Sequence, residues 1–160
     1  MKLNEFLNYM NSGLNIEGGS EVHKYMIELS QEAMKVTCEL NNSYHEPQEI
    51  RRLFSKLIGK QVDHSFAMFP PFYTDCGKNI NVGKNVFINH SAILSASGGI
   101  EFGDGVMIAP GVRIATINHD MNERHTIYTY GKVTVKQNAW IGMNVTICPG
   151  VTIGKYAVVG

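Results

Sequence analysis

The chain has 160 residues, 44% of them hydrophobic, and its 14 basic and 14 acidic side chains cancel. That length makes one domain with a sizeable core, and the neutral balance excludes a strongly basic footprint for nucleic acid or an anionic membrane. No apolar run approaches the ~20 residues of a membrane helix, and MKLNEFLNYM is too polar for a secretory leader, so a cytoplasmic protein is the reading. Cys38, Cys76 and Cys148 are odd in number, widely spaced and without a CxxC pair. They read as reduced thiols, neither a disulfide framework nor a metal site.

From the N-terminus, Leu3, Phe6, Leu7 and Met10 share one helical face, and the polar stretch NSGLNIEGGS breaks the pattern. Ser20 is the expected N-cap of a second helix carrying Val22, Tyr25, Met26, Leu29, Ala33, Val36 and Leu40, which Asn41, Asn42 and Ser43 stop. A third helix starts at Pro47, turns Ile50, Leu53, Phe54, Leu57 and Ile58 inward, and ends at Gly59. The three stripes read as core packing. Residues 1–65 are thus a helical segment that packs on the remainder of the chain. FAMFPPFY, with Pro70 and Pro71, then forbids a helix and predicts an extended entry.

Beyond it the apolar period becomes six. Val82, Ile88 and Leu94, then Phe102, Ile108 and Ile114, then Val135, Ile141, Ile147, Ile153 and Val159 form one column, and the residues two places earlier form a second. Two aliphatic columns at this period are neither helix nor simple strand; they mark a hexapeptide β-helix, in which stacked coils bury one another's apolar face. The fold expected for residues 66–160 is therefore a β-helix of three hexads per coil, each coil adding about 4.8 Å of height. The residue after each column member, often Gly as at Gly83, Gly103, Gly142 and Gly154, is read as the corner. Leu94 to Phe102 carries an insert of two residues and Ile114 to Val135 one of fifteen, both at the same corner. The longer one, at about 115–132, is long enough to be functional. Gly160 falls inside a coil, which predicts either a partner on that open edge or a shortened chain.

That loop holds His119, Asp120, Glu123, Arg124 and His125. A neutral imidazole is the side chain suited to accept a proton near pH 7. On residue types alone the cluster reads equally as a proton-transfer site or a solvated loop. His119 and His125 stand six apart with no third ligand at a recognised spacing, so no metal is expected there.

The columns, the NHD of the loop, WIGMNVTICPGVTIG, PPFYTDCGKNINVGKNVFIN and GDGVMIAPGV together resemble the hexapeptide-repeat sugar O-acetyltransferases, the galactoside and maltose O-acetyltransferase group. The resemblance runs from about Pro70 to Gly160 and implies a left-handed parallel β-helix, a homotrimer with sites between subunits, acetyl-CoA as donor and a sugar-like hydroxyl as acceptor. It implies His119 as the general base and the Met143 backbone N–H as the oxyanion contact. Asp75 and Asn89 would bind the acceptor, and Ala109, Trp140 and Met143 would line the donor groove. The bland alternatives are an exposed strand aromatic for Trp140 and a left-handed corner residue for Asn89. Glu21 falls near an acidic acceptor position of the group, and SASGG, Ser95–Gly99, replaces its acidic residues between the first coils. The coil that begins at Val135 follows the loop directly, so Trp140 and the Met143 amide are expected opposite the base. Other readings are an O-acetyltransferase of an antibiotic or amino-acid hydroxyl, or a truncated, non-catalytic β-helix trimer. A γ-type carbonic anhydrase shares the repeat, but its three metal-binding histidines across coils are not supplied here.

Overall fold

The computed structural model describes residues 1–160. Helix α1 (Leu3–Asn11) is followed by a short strand β1 (Ile16–Glu17), by α2 (Glu21–Asn41) and by α3 (Pro47–Ile58). The expected caps are present. The Ser20 side chain accepts from the His23 N–H, Pro47 opens α3, and Gly59 ends it in the left-handed conformation at φ 69°. Strand β1 departs from the expectation of a plain linker: Ile16 is fully buried and Glu17 exposed. Asn41, expected only to stop its helix, also bonds both backbone groups of Phe72 through its carboxamide, each at 2.9 Å.

The remaining chain is a parallel β-solenoid. Strands β2 (Ala67–Met68), β3 (Phe72–Thr74) and β4 (Ile80–Val82) make its first turn, and β5 (Phe87–Ile88), β6 (Ala92–Ser95) and β7 (Ile100–Phe102) its second. Strands β8 (Met107–Ile108) and β9 (Arg113–Ala115) begin the third turn. A hairpin of β10 (Ile117–His119) and β11 (Ile127–Tyr130) interrupts it before β12 (Val133–Val135) closes it. The fourth turn is β13 (Trp140–Ile141), β14 (Thr146–Ile147) and β15 (Thr152–Ile153), and β16 (Val158–Val159) opens a fifth. Three sheets result: a first face of β2, β5, β8, β13 and β16, a second of β3, β6, β9 and β14, and a third of β4, β7, β12 and β15.

The register is the one expected from the period of six. Val82 stacks on Phe102, Val135 and Ile153, Ile88 on Ile108, Ile141 and Val159, and Leu94 on Ile114 and Ile147. One turn was hidden: Met68 lies under Ile88 and Thr74 under Leu94, so the solenoid begins at β2 rather than near Val82. A threonine and the proline pair interrupt the aliphatic column there. The corner assignment is also corrected. Positive φ occurs three residues after the column member, at Asn85, Ser91, Gly105, Gly111, Asn138, Asn144, Gly150 and Tyr156, and not at the position directly after it. The glycines at that earlier position have a different cause: a Cβ on Gly103 would lie 2.7 Å from the Gln137 nitrogen of the coil above. Stacking of coils, not turn sharpness, excludes a side chain there.

Helix α3 closes the base of the prism. Phe54 is fully buried, stacked on Phe66 with ring centroids 4.7 Å apart and edge-on to Phe72 at 5.5 Å. Burying such a side chain contributes roughly 1.5–3 kcal/mol, so Leu53, Phe54 and Leu57 are what makes the open end of the first turn stable. A second, smaller core of Phe6, Met10, Ile16, Val22, Leu29 and Cys76 sits beside the corner between the second and third faces. No helix is long and apolar enough to cross a membrane.

Candidate active site

Inserts fall at the corner between the second and third faces in each of the first three turns. Asp75–Asn79 fills it first, then Ala96–Gly99, then the hairpin loop. Hydrogen bonds run up this corner from turn to turn. Asp75 accepts from the Ser95 hydroxyl at 2.6 Å and from the Ala96 N–H at 2.7 Å. Thr116, fully buried at the root of the loop, donates its hydroxyl to the Ser95 carbonyl at 2.7 Å and accepts from the Gly98 N–H at 2.8 Å. This accounts for SASGG: a Cβ on Gly98 would sit 2.5 Å from the Thr116 carbonyl oxygen, so the segment under the loop root is kept small.

His119 stands at the end of β10, opposite Tyr128 of β11, and β11 pairs in turn with β1, where Ile16 faces Tyr128. The imidazole Nδ1 lies 2.7 Å from the Arg124 carbonyl oxygen. A carbonyl only accepts, so Nδ1 carries the proton and the lone pair is on Nε2. Asp120 shapes the turn, accepting from the Asn122 and Glu123 N–H groups at 2.8 and 3.0 Å, and those donors hold its carboxyl below the usual range. Arg124 donates to the Met121 carbonyl. Asp120 and Arg124 thus shape the loop around the imidazole.

Several neighbours were not legible beforehand. His23 stacks on Tyr128 at 5.1 Å and 20°, and Tyr128 meets the His119 ring at 4.8 Å and 51°. Tyr130 donates to the Met26 sulfur, and burial raises its phenol well above the ordinary tyrosine range. Glu21 is turned to the N-terminal amine, 2.9 Å away, whereas Glu17 is the acidic residue that β1 brings to the hairpin edge. The only advance signal was Ile16, an apolar residue inside a polar linker.

The remaining candidates occupy a different corner. Asn89, Ala109 and Gly142 stack between the first and second faces, where the Asn89 and Ala109 amides bond Ile108 and Ile141 above them. Asn89 itself is not left-handed; Ser91 is, at φ 64°. Its Oδ1 accepts from the His90 N–H at 2.9 Å. Met143 follows Gly142 and is 66% exposed, and its backbone N–H bonds nothing within the chain. Trp140, 47% exposed, lies on the first face between Met107 and Val158, in an outward column that includes Phe87. The outward residues of the third face are Asn81, Glu101, Thr134 and Thr152 and those of the second are Tyr73, Ile93, Arg113 and Thr146, so the first face alone is apolar at every turn.

Within a single chain the candidate residues therefore fall into two groups, His119 with Asp75 at one corner, and Asn89, Ala109, Trp140 and Met143 around another. The expectation that Trp140 and the Met143 amide face the base fails within one copy, because the loop leaves the prism at the second-to-third corner and Met143 follows the first face. The three cysteines are unpaired, and burial pushes the Cys76 thiol up to about 11. No group of three or more His, Cys, Asp or Glu is arranged to hold a metal ion.

The bacterial transferase hexapeptide (six repeats) family matches residues 132–160. A galactoside O-acetyltransferase of Lactococcus lactis is 33% identical over 136 residues, covering 81% of this chain and 65% of the relative. The chain thus spans a little under two thirds of that relative's length. Among solved structures, a hexapeptide-repeat acetyltransferase of Vibrio cholerae complexed with acetyl coenzyme A superposes with TM-score 0.78 at 27% identity, covering 97% of this chain and 84% of that one. A galactoside acetyltransferase in complex with coenzyme A gives TM-score 0.77 at 25% identity, with 99% and 78% covered. Repeat and fold define the class, a hexapeptide-repeat β-solenoid protein. Within that class the proteins it is similar to include galactoside O-acetyltransferases and, by structure, a maltose O-acetyltransferase of Clostridium difficile.

Proposed function

We propose that the protein is an acetyl-CoA-dependent O-acetyltransferase, moving an acetyl group to a hydroxyl of a sugar or similar small molecule with His119 as general base. The observation that carries this reading is the bond from His119 Nδ1 to the Arg124 carbonyl, which leaves the Nε2 lone pair open on an exposed loop. An alcohol is a poor nucleophile until its proton has an acceptor. Nε2 takes that proton as the acceptor oxygen attacks the thioester carbonyl carbon. The carbonyl electrons move to oxygen, and the free Met143 N–H is a donor suited to that oxyanion. Collapse of the tetrahedral adduct expels the coenzyme A thiolate, which recovers the proton from the imidazolium.

The acceptor would lie against Asp75 and Asn89. Each Asp75 oxygen already accepts one bond and retains lone-pair capacity for a hydroxyl. The donor would run along Ala109 and Trp140. Because the two half-sites occupy different corners, the reading requires a second copy to supply the other half. A homotrimer meets that need, and the apolar column of Phe87, Met107, Trp140 and Val158 suits a contact between copies. Three unpaired thiols suit a cytoplasmic setting.

The test is thiol release from acetyl-CoA over a panel of sugars, antibiotics and amino-acid hydroxyl compounds, run on wild type and His119→Ala. General-base loss predicts a fall of about 10²–10⁴-fold with acetyl-CoA binding retained. Equal rates in the two proteins would remove the base assignment, and absence of acetyl-CoA binding would favour a non-catalytic β-helix trimer.

A further inference from the structure

We infer that Tyr128 and His23 are positioning residues for His119, so that the N-terminal segment is a working part of the site. This inference rests on the acetyl-transfer reading for its catalytic consequence, while its geometry stands independently.

In the antiparallel hairpin Ile16, Tyr128 and His119 are directly opposed across three strands, and opposed residues project to the same side of a sheet. The row is graded in burial. Ile16 is fully buried against Phe6 and Val22, Tyr128 is half-buried, and His119 is exposed. Anchorage therefore passes from a core residue through an aromatic ring to the imidazole. The His119 ring meets Tyr128 at 4.8 Å, while the Arg124 carbonyl holds its Nδ1 edge at 2.7 Å. One contact alone would leave the imidazole free to swing about its side-chain torsions. Two contacts on different parts of the ring define its plane and direct Nε2. The Tyr128 hydroxyl has no hydrogen-bond partner in the chain, so the ring is what acts.

His23 braces Tyr128. Its imidazole stacks on the tyrosine, and its own position is over-determined: its N–H donates to the Ser20 hydroxyl, and its Nδ1 accepts from the Gly19 N–H at 2.9 Å. An amide only donates, so the His23 Nδ1 is unprotonated and its ring is tied into the helix cap. The cap of α2 thereby reaches the base through one aromatic ring. A base displaced by 1 Å can lose about 10²-fold in rate, which sets the scale of what such bracing secures.

The experiment compares wild type with Tyr128→Phe, Tyr128→Ala and His23→Ala. It measures the ¹⁵N shifts of His119 as a report of tautomer, kcat and KM for acetyl-CoA and acceptor, and the folded fraction. Tyr128→Phe is expected to keep both the Nδ1–H tautomer and kcat. Tyr128→Ala is expected to mix the tautomers and lower kcat by about 10–100-fold with little change in KM. His23→Ala is expected to show the same pattern more weakly. If Tyr128→Ala does not fold, Tyr128→Leu keeps the apolar bulk and is read in its place. A variant without the ring that retains the wild-type tautomer and kcat, or that loses rate only with its folded fraction, overturns the inference. If His119→Ala keeps full activity, the base reading falls, and the tautomer measurement still decides the positioning.

Discussion

His119 donates from Nδ1 to the carbonyl of Arg124, five residues further along the same loop, at 2.7 Å. That carbonyl is aimed by the turn that Asp120 caps, since the Asn122 and Glu123 amides both point at one Asp120 oxygen. The orientation of the His119 ring thus depends on a carboxylate that is not among its own hydrogen-bond partners.

Asp120→Ala should therefore raise hydrogen exchange at the Asn122 and Glu123 amides and lower kcat without removing His119. The same loosening should appear in wild type at acid pH. The folded Asp120 pKa is depressed by its amide donors, so its contribution is present above the unfolded value of about 3.9 and is lost as pH falls through the folded one. The protection of those amides relative to their intrinsic exchange rate, followed downwards from pH 6, should fall only below about pH 4.

Coil stacking gives a prediction with a built-in control. Gly103→Ala and Gly142→Ala each drive a Cβ into the coil above, 2.7 Å from the Gln137 nitrogen and 2.8 Å from the Val159 oxygen respectively, whereas Gly154 has nothing within 4 Å. Overpacking of this kind costs roughly 1–3 kcal/mol. Thermal unfolding should show lower Tm for the first two variants and an unchanged value for Gly154→Ala.

Phe54→Ala should be more damaging than either. The ring is fully buried between Phe66 and Phe72 where α3 closes the prism, and loss of a core phenylalanine costs about 3–5 kcal/mol. Denaturant unfolding should show a large drop in midpoint.

The thiols should separate by reactivity. Cys76 is buried with its thiol pushed up to about 11, while Cys38 and Cys148 are exposed. At pH 8 a disulfide reagent should modify Cys38 and Cys148 rapidly in the native protein, and Cys76 only after unfolding.

How much of this was legible differs from feature to feature. The stack of Val82, Phe102, Val135 and Ile153 could be read residue by residue, because period six records directly which side chains face inward. The first turn could not, since Thr74 and the Pro70–Pro71 pair interrupt the apolar count. Ser20, Pro47 and Gly59 were readable because caps are local chemistry. Tyr128 was not, because the β10–β11 register that opposes it to His119 lies inside an insert that breaks the period, and His23 was not, because what brings its segment to the hairpin is a pairing of β1 with β11 across more than a hundred residues of chain.

The solenoid, the register of the coils from Val82 onward and the shared corner of their inserts were determined by the sequence alone, because short-range periodicity is enough to specify them. Only the tertiary structure decided which proton His119 carries, what stands behind it, and that Trp140 and Met143 lie at another corner from it. The first is set by the folded path of one loop, and the others by coil stacking, core burial and strand pairing, which bring distant segments together.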